Sequence, residues 1–213
     1  MRTTQYGLLA LLLGAASLSA AAVESGVDAN WILAKLARPA PMRTSFVELR
    51  GSKLLKTPLR IEGEYLRPRD DTLVREVRAP YSETTTIRAG EVTIARVGKS
   101  PRTFSLSRSP ELVGLQASFG ALLAGDRLLL ERHYRLATQG TRQQWALALT
   151  PKDGALAAKV RTITLYGRGA ELRCIETEPA KSGDLQRTLL AGAARAAAGV
   201  ADTNAMTALC HGS

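Results

Sequence analysis

From residue 44 onward, apolar and polar residues alternate with a period of two through most of the chain. This period places successive side chains on opposite faces of a β-strand, so it predicts strands that are apolar on one face. The predicted strands are Thr44–Gly51, Leu59–Leu66, Leu73–Arg78, Glu83–Arg88, Glu91–Val97, Thr103–Leu106, Arg127–Thr138, Thr141–Thr150, Lys159–Tyr166 and Ala170–Thr177. Short connections such as RPRDD, RAGE and PKDG favour antiparallel hairpins, because parallel neighbours need long crossovers. The sequence therefore predicts one large, strongly curved antiparallel sheet.

A helix is predicted before the first strand. Residues 24–37 (ESGVDANWILAKLA) carry apolar side chains at mixed helical spacing. Ser25 or Asp28 is a suitable N-cap, and Pro39 and Pro41 follow the expected end of the helix.

A second helical segment interrupts the predicted sheet at residues 109–126. Ser109 is a suitable N-cap, and Pro110 takes the first helical position. Apolar side chains cover much of its circumference: Leu112, Val113, Leu115, Phe119, Leu122 and Leu123. The simpler interpretation is a core helix packed on the sheet, and the alternative is a movable helical cover whose glycines permit hinging.

The C-terminal part is ambiguous in sequence. GDLQRTLL is compatible with a further strand, and AGAARAAAGV has helical propensity interrupted by glycine. DTNAMTALC is typical of a short helix that begins at Asp202 and brings Cys210 back toward Cys174.

The N-terminal segment has the features of a secretory signal peptide. Arg2 precedes the apolar run LLALLLGAASL, and small residues at 19–22 predict cleavage after Ala20, Ala21 or Ala22. The apolar run is short for a membrane span, although an uncleaved anchor is the alternative. We therefore expect a signal peptide at residues 1–22 and a single domain at residues 23–213, exported to the periplasm.

Cys174 and Cys210 are the only cysteines of the chain. An exported protein resides where disulfides persist, so we expect these two to pair. The bond would tie the C-terminal tail to a strand and stabilise the fold by roughly 4 kcal/mol. A metal site is disfavoured, because two cysteines with nearby His211 lack a fourth ligand and the short ligand spacing of zinc sites.

The net charge is +10, and arginines are spread over the predicted strands. Export argues against nucleic acid as the partner, and the chain has no platform of alternating aromatic and basic residues. Attraction to an anionic membrane surface or to an acidic partner fits better, and a merely solvated surface is equally compatible with the charge.

The sequence has few candidates for catalysis. His133 falls within a predicted strand, and no hydrolase, metalloprotease or dinucleotide-binding motif occurs in the required context. Glu62 and Glu64 share one strand face and resemble a glycosidase pair only in spacing. We therefore expect a non-enzymatic protein with no cofactor and no metal, and a carbohydrate-active hydrolase is the weaker alternative.

A curved sheet with one apolar face, covered by apolar helices, can form a concave binding site. The side chains expected to face this hollow are Phe46, Ile61, Tyr65, Leu73, Val77, Trp145, Leu147, Leu149, Ile163 and Leu165. The same residues would serve equally well as an ordinary hydrophobic core.

Several short segments follow one another over most of residues 24–190: SFVE, GEYLRP, VREVRAP, IRAGEVTIARV, SPELVGLQASFGALLAG, WALALTPKDG and ITLYGRGAELRCIETEPAKSGDLQRTLL. Their order and spacing resemble those of the LolA family of periplasmic carriers of outer-membrane lipoproteins. The resemblance implies an unclosed antiparallel β-barrel with a helical lid, whose hollow holds the acyl chains of a lipoprotein or another lipidated molecule. It also implies an inner-membrane donor, an outer-membrane acceptor and a monomeric carrier. By resemblance, Arg67 is the lid latch that donates hydrogen bonds to lid carbonyls.

The chain departs from this family at several places. Arg75 stands where the family tends to have an aromatic residue, and Cys210 lies in a tail that replaces the final strand region. These departures indicate a divergent carrier of another lipidated or polyene-type envelope molecule. A lipid-sensing or protein-interaction module of the envelope is the alternative. Arg75 is interpreted either as a polar group at the cavity mouth or as surface charge.

Overall fold

A computed structural model describes residues 26–50, 58–106, 120–181, 185–200 and 202–212. The expected signal peptide at residues 1–22 and Ser25 lie outside this range. So do four of the predicted lid residues: Leu112, Val113, Leu115 and Phe119.

Eleven strands form one sheet in which every neighbouring pair is antiparallel. The strands are β1 (Met42–Arg50), β2 (Leu59–Arg69), β3 (Thr72–Ala79), β4 (Glu83–Arg88), β5 (Glu91–Arg96), β6 (Lys99–Ser105), β7 (Tyr134–Gly140), β8 (Trp145–Pro151), β9 (Val160–Arg168), β10 (Glu171–Pro179) and β11 (Gln186–Leu190). Their spatial order is β6-β5-β4-β3-β2-β1-β11-β10-β9-β8-β7, so the sheet is not closed and its edges are β6 and β7. The predicted antiparallel, unclosed fold is confirmed.

The described part of the chain also contains helices α1 (Ala29–Leu36), α2 (Arg127–His133), α3 (Gly154–Ala157), α4 (Ala191–Ala196) and α5 (Thr203–His211), and a helical segment at residues 120–124. Four of them begin at an aspartate whose carboxylate accepts a hydrogen bond from the backbone N–H three residues later. These N-caps are Asp28, Asp126, Asp153 and Asp202. Such caps satisfy N–H groups that have no partner within the helix.

The strand predicted at Arg127–Thr138 is wrong in its first half, because residues 127–133 form helix α2. The Asp126 carboxylate caps the Leu129 N–H at 2.9 Å, and Arg127 pairs with Glu131 one helical turn away at 2.7 Å. Three consecutive leucines also break the alternation on which the strand prediction depended.

The strand predicted at Thr141–Thr150 starts later, at Trp145. Gly140 has a φ of +88°, and a side chain there would meet the Gln144 carbonyl oxygen. Residues 141–144 are therefore the hairpin connection between β7 and β8 rather than strand.

The two faces of the sheet are covered by different helices. Helix α1 packs through Ile32 and Leu33 in a buried cluster with inward side chains such as Trp145 and Leu165. Helices α4 and α5 pack on the opposite, outer face in a second cluster that includes Val47. Eleven strands at about 4.8 Å spacing would span roughly 50 Å if flat. The chamber walls described below come from both halves of the sheet, so the sheet must curve around the inner face.

Candidate functional site

The inner face of the sheet encloses an apolar hollow that has three connected parts. The largest, chamber 1, has a volume of about 500 Å³ and lies against strands β2–β6. Its lining includes Tyr65, Leu73, Thr85, Ile87, Val92, Ile94, Phe104, Leu106 and Leu123, with Arg67, Asp70 and Asp71 at one end.

Chamber 2 has a volume of about 260 Å³ and lies toward the other half of the sheet. Its walls come from β1–β3 and β7–β11, and they include Leu149, Ile163, Leu165, Leu172, Ile175, Thr188 and Leu190. Tyr65, Leu73 and Leu123 line both chambers and therefore form the partition between them.

The third part, which we call the mouth, has a volume of about 270 Å³. It shares Met42, Leu122, Leu123, Leu172 and Leu190 with chamber 2. Its outer rim carries Lys35, Arg38, Arg43 and Glu171. The hollow therefore runs from a charged rim, through chamber 2, to chamber 1.

Five of the ten side chains expected to face the hollow do line it: Tyr65, Leu73, Leu149, Ile163 and Leu165. The other five belong to packed clusters and line neither chamber: Phe46, Ile61, Val77, Trp145 and Leu147. They point to the same face, but neighbouring side chains or helix α1 fill the space in front of them.

Strands β4–β6 supply chamber-lining residues that sequence reasoning did not select. Ile87, Val92, Ile94 and Phe104 all line chamber 1. The register pairs Ile87 with Val92 and Val92 with Phe104, so these side chains share one face. The alternation in TTTIR and EVTIAR is the sequence pattern from which these lining residues could have been predicted.

Of the six predicted lid residues, Leu122 and Leu123 lie within the described part of the chain. Residues 120–124 are helical and contribute to chamber 1, chamber 2 and the mouth. The Leu123 carbonyl accepts a hydrogen bond from the Arg38 N–H at 3.1 Å, which joins this segment to the chain that follows α1.

Arg67 is largely buried at the edge of chamber 1. Its Nη1 donates to the Arg38 carbonyl oxygen at 2.6 Å, and its Nη2 pairs with Asp70 at 2.9 Å. Among the described residues, the carbonyl to which Arg67 donates is that of Arg38, whose own N–H donates to the Leu123 carbonyl. Residues 109–119 of the predicted lid lie outside the described ranges. Arg67 reaches residues 120–124 through one intervening residue.

Arg75 belongs to a polar cluster on the inner face. Its Nη2 lies 2.7 Å from Oε2 of the buried Glu48, and its guanidinium lies 4.8 Å from the centre of the Phe46 ring. The Glu48 carboxylate also accepts from Gln186 at 2.6 Å and pairs with Arg50. Arg75 is thus the partner of a buried carboxylate rather than surface charge.

Tyr65 connects this polar cluster with the chamber partition. Its ring centre lies 4.7 Å from that of Phe46. Burial raises the pKa of the Tyr65 hydroxyl above its ordinary value, and the neighbouring Arg75 partly opposes that rise.

The acidic pair considered for catalysis lies away from the chamber linings. Glu62 pairs with Arg60 at 2.5 Å, and Glu64 pairs with Arg43 at 3.1 Å and with Arg78. His133 is the last residue of α2 and lines neither chamber.

Cys174 and Cys210 form the predicted disulfide, which fastens α5 to β10 on the outer face. Among the described residues, these cysteines and Glu176 are the one group of potential metal ligands that lie close together. Both sulfurs are in the disulfide, so this group offers no thiolate to a metal.

Comparison with known proteins identifies the family. Residues 20–213 match the family model described as outer membrane lipoprotein carrier protein LolA-like. No curated protein matches the sequence. Within the described ranges, no helix has the length and apolar character needed to cross a membrane.

Several solved structures are similar in fold, each at low sequence identity. The LolA superfamily protein NE2245 from Nitrosomonas europaea is 13% identical, with 78% of this chain and 92% of that chain covered and a TM-score of 0.41. LprF from Mycobacterium bovis is 12% identical, with coverage of 77% and 91% and a TM-score of 0.34. A DUF1329 family protein from Desulfovibrio piger is 10% identical, with coverage of 78% and 89% and a TM-score of 0.30. Because the family match extends over residues 20–213, the chain belongs to the LolA-like family of outer membrane lipoprotein carrier proteins.

Proposed function

We propose that the protein is a periplasmic carrier that holds the acyl chains of a lipoprotein, or of another lipidated envelope molecule, and ferries it toward the outer membrane. The observation that carries this proposal is the apolar hollow formed by chambers 1 and 2. Each methylene kept from water contributes about 0.8 kcal/mol, so a chain of about ten methylenes gains roughly 8 kcal/mol. An exposed apolar surface would not give the same shelter during transfer through water.

The segment that covers the hollow suits a cover that opens. Residues 120–124 form part of all three cavities. They are held by the packing of Ala121 and Leu122 in the same buried cluster as α1, and by a backbone hydrogen bond from Arg38 to Leu123. Arg67 fixes the Arg38 carbonyl from the sheet side. We assign Arg67 the role of positioning this closed arrangement, and Leu122 and Leu123 the role of its apolar inner surface.

Export is part of the proposal. Residues 1–22 serve as a cleaved signal peptide, and residues 23–213 form one lipid-binding domain whose C-terminal tail is held by the disulfide. The start of the family match at residue 20 supports this division. The carrier would act as a monomer between an inner-membrane donor and an outer-membrane acceptor.

A carrier needs no catalytic group, and the carboxylates considered for catalysis are engaged elsewhere. Glu62 and Glu64 are paired with arginines and do not line the chambers. Family membership supports a carrier over an enzyme. Replacing Glu62 or Glu64 with Gln should therefore leave ligand binding unchanged.

Native mass spectrometry of the protein purified from cells tests the proposal. We expect adducts with the mass of one acylated molecule, released on unfolding and identified by fragmentation. An uncharged fluorophore such as N-phenyl-1-naphthylamine should bind the lipid-free protein. A lipid-free protein that does not bind this fluorophore would contradict the proposal, whereas a stable protein partner without lipid would favour the interaction module.

A further inference from the structure

The rim of the mouth carries an excess of positive charge directly over an apolar channel. Lys35, Arg38 and Arg43 line the mouth, and Glu171 is the acidic residue among its lining residues. The Glu171 carboxylate is turned to other partners, because it accepts from the Gly192 N–H at 2.5 Å. It does not neutralise the rim by a direct ion pair with any of the three cations.

Two of these three cations lack a carboxylate partner in the described part of the chain. The Lys35 ammonium lies 5.9 Å from the centre of the Trp31 ring, and Arg38 donates to the Ala170 carbonyl at 3.3 Å. Neither has an aspartate or glutamate oxygen within 4.0 Å among the described residues. Arg43 differs, because it is already paired with Glu64.

The apolar lining of the mouth is shared with chamber 2. Both are lined by Met42, Leu122, Leu172 and Leu190. A molecule with its chain in chamber 2 would therefore place its polar end beside Lys35 and Arg38. Cations that have no carboxylate partner among the described residues, placed at the end of an apolar channel, complement a molecule with an anionic head group and an apolar chain.

We propose that the mouth is a head-group site and that the carrier selects amphiphiles with an anionic head group, such as a phosphate or a carboxylate. This inference rests on the proposed function, since it names the class of ligand held by the same hollow. Lys35 and Arg38 bind the head group, and chambers 2 and 1 hold the chain. The selectivity is electrostatic, so it weakens as the salt concentration rises.

Displacement of N-phenyl-1-naphthylamine by amphiphiles of equal chain length tests this site. The probes are dodecyl phosphate, monolauroyl glycerol and dodecyltrimethylammonium, each below its micelle concentration. We expect dodecyl phosphate to bind about tenfold more tightly than uncharged monolauroyl glycerol at low salt. The variant K35Q/R38Q should lose this preference and keep its affinity for monolauroyl glycerol.

The matched control is R135Q/R195Q, which removes the same number of positive charges from exposed positions outside the mouth. It should keep the preference for dodecyl phosphate. No preference in the wild-type protein, or an equal loss in both variants, would overturn the head-group site. The proposed function itself would fail differently, with neither the fluorophore nor monolauroyl glycerol bound.

A further arm distinguishes a lipid head group from free phosphate. The dodecyl phosphate titration is repeated with millimolar inorganic phosphate against potassium chloride of equal ionic strength. We expect the same affinity in both, because the chain supplies most of the binding free energy. If inorganic phosphate removes the preference, the mouth is a site for the free anion and the inference is wrong.

Discussion

The arginines that interrupt the alternation of β2 and β3 have different partners and therefore different roles. Arg67 binds a backbone carbonyl at the edge of chamber 1, whereas Arg75 pairs with a buried carboxylate. Arg78 pairs with Glu64 and is more than half exposed, so it contributes little to stability. The burial of each arginine side chain, rather than its position in the alternation, separates these roles.

Arg67→Leu should lower the free energy of unfolding by about 1.5–3 kcal/mol, because it removes a charge-assisted hydrogen bond to the Arg38 carbonyl. Urea denaturation measures this loss, with Arg69→Leu on the same strand, exposed, as the control. If Arg67 positions the cover, transfer of bound lipid to acceptor vesicles should also change in rate. An unchanged transfer rate would remove that assignment.

Removing Arg75 should be more costly than removing the pair. Arg75→Met removes the more buried of the two arginines that pair with the buried Glu48 and leaves the half-exposed Arg50 as the remaining one. We expect the free energy of unfolding to fall by about 3 kcal/mol. Glu48→Leu combined with Arg75→Met should recover part of this loss, because the only charge among the described residues that then loses its partner is Arg50, whose side chain is half-exposed to water. A double-mutant cycle measures the coupling, and strictly additive losses would argue against a direct interaction.

Tyr65 should make the protein less stable at alkaline pH. Its pKa is raised in the folded state, so its contribution is complete below its ordinary pKa of about 10 and is lost as the pH rises through the folded value. Urea unfolding from about pH 9 to about pH 12 should show this decline. Tyr65→Phe should reduce the slope, and the remaining part belongs to groups such as Tyr166, whose pKa is also raised. An identical slope in Tyr65→Phe would contradict the assignment.

At the scale of elements, the helices are specified by their first residues and the strands by alternation. Asp126 shows how a cap selects helix over strand, because the three leucines that follow are apolar enough for a helix or for a strand. Helix α4 has no side-chain cap and depends instead on packing in the outer buried cluster around Met206. Helix α5 begins at the Asp202 cap and is also held by this cluster and by the disulfide.

Breaking the disulfide should destabilise the domain through α5. The bond spans 36 residues, so removing it should cost roughly 4 kcal/mol in the chain-entropy model. Urea denaturation with and without dithiothreitol measures the effect on the wild-type protein. The C174A/C210A variant is the control, since dithiothreitol should not change its midpoint. Equal midpoints of the oxidised and reduced wild-type protein would show that α5 is held by packing alone.

At the scale of the whole molecule, curvature of the sheet forms the hollow, and α1 occupies one part of the concave face. Leu73 lies on the partition between chambers 1 and 2, where added volume would obstruct both. We expect Leu73→Trp to weaken N-phenyl-1-naphthylamine binding about tenfold. Leu128→Trp is the control, because Leu128 is 75% exposed and should tolerate the change. Equal affinities for the two variants would place the fluorophore elsewhere.

The sequence by itself determined most of the local structure of this protein. Alternation and turn residues located the antiparallel strands β1–β10, although the predicted starts of β7 and β8 were too early. Asp28, one of two caps considered for α1, and Asp202 mark the starts of α1 and α5. These features depend on interactions between residues near in sequence, so they can be predicted without knowledge of the tertiary structure. The disulfide could be predicted because the chain has two cysteines, which can pair in one way within the chain.

Only the tertiary structure decided which inward side chains line the hollow and which fill the core. Trp145 and Leu165 share the inner face in sequence pattern, but α1 packs in the same buried cluster and Leu165 alone also lines chamber 2. The partner of Arg75 was equally hidden, because Glu48 lies 27 residues earlier and meets it across β2. Alternation specifies the face of a side chain, whereas curvature and helix packing specify what stands in front of it.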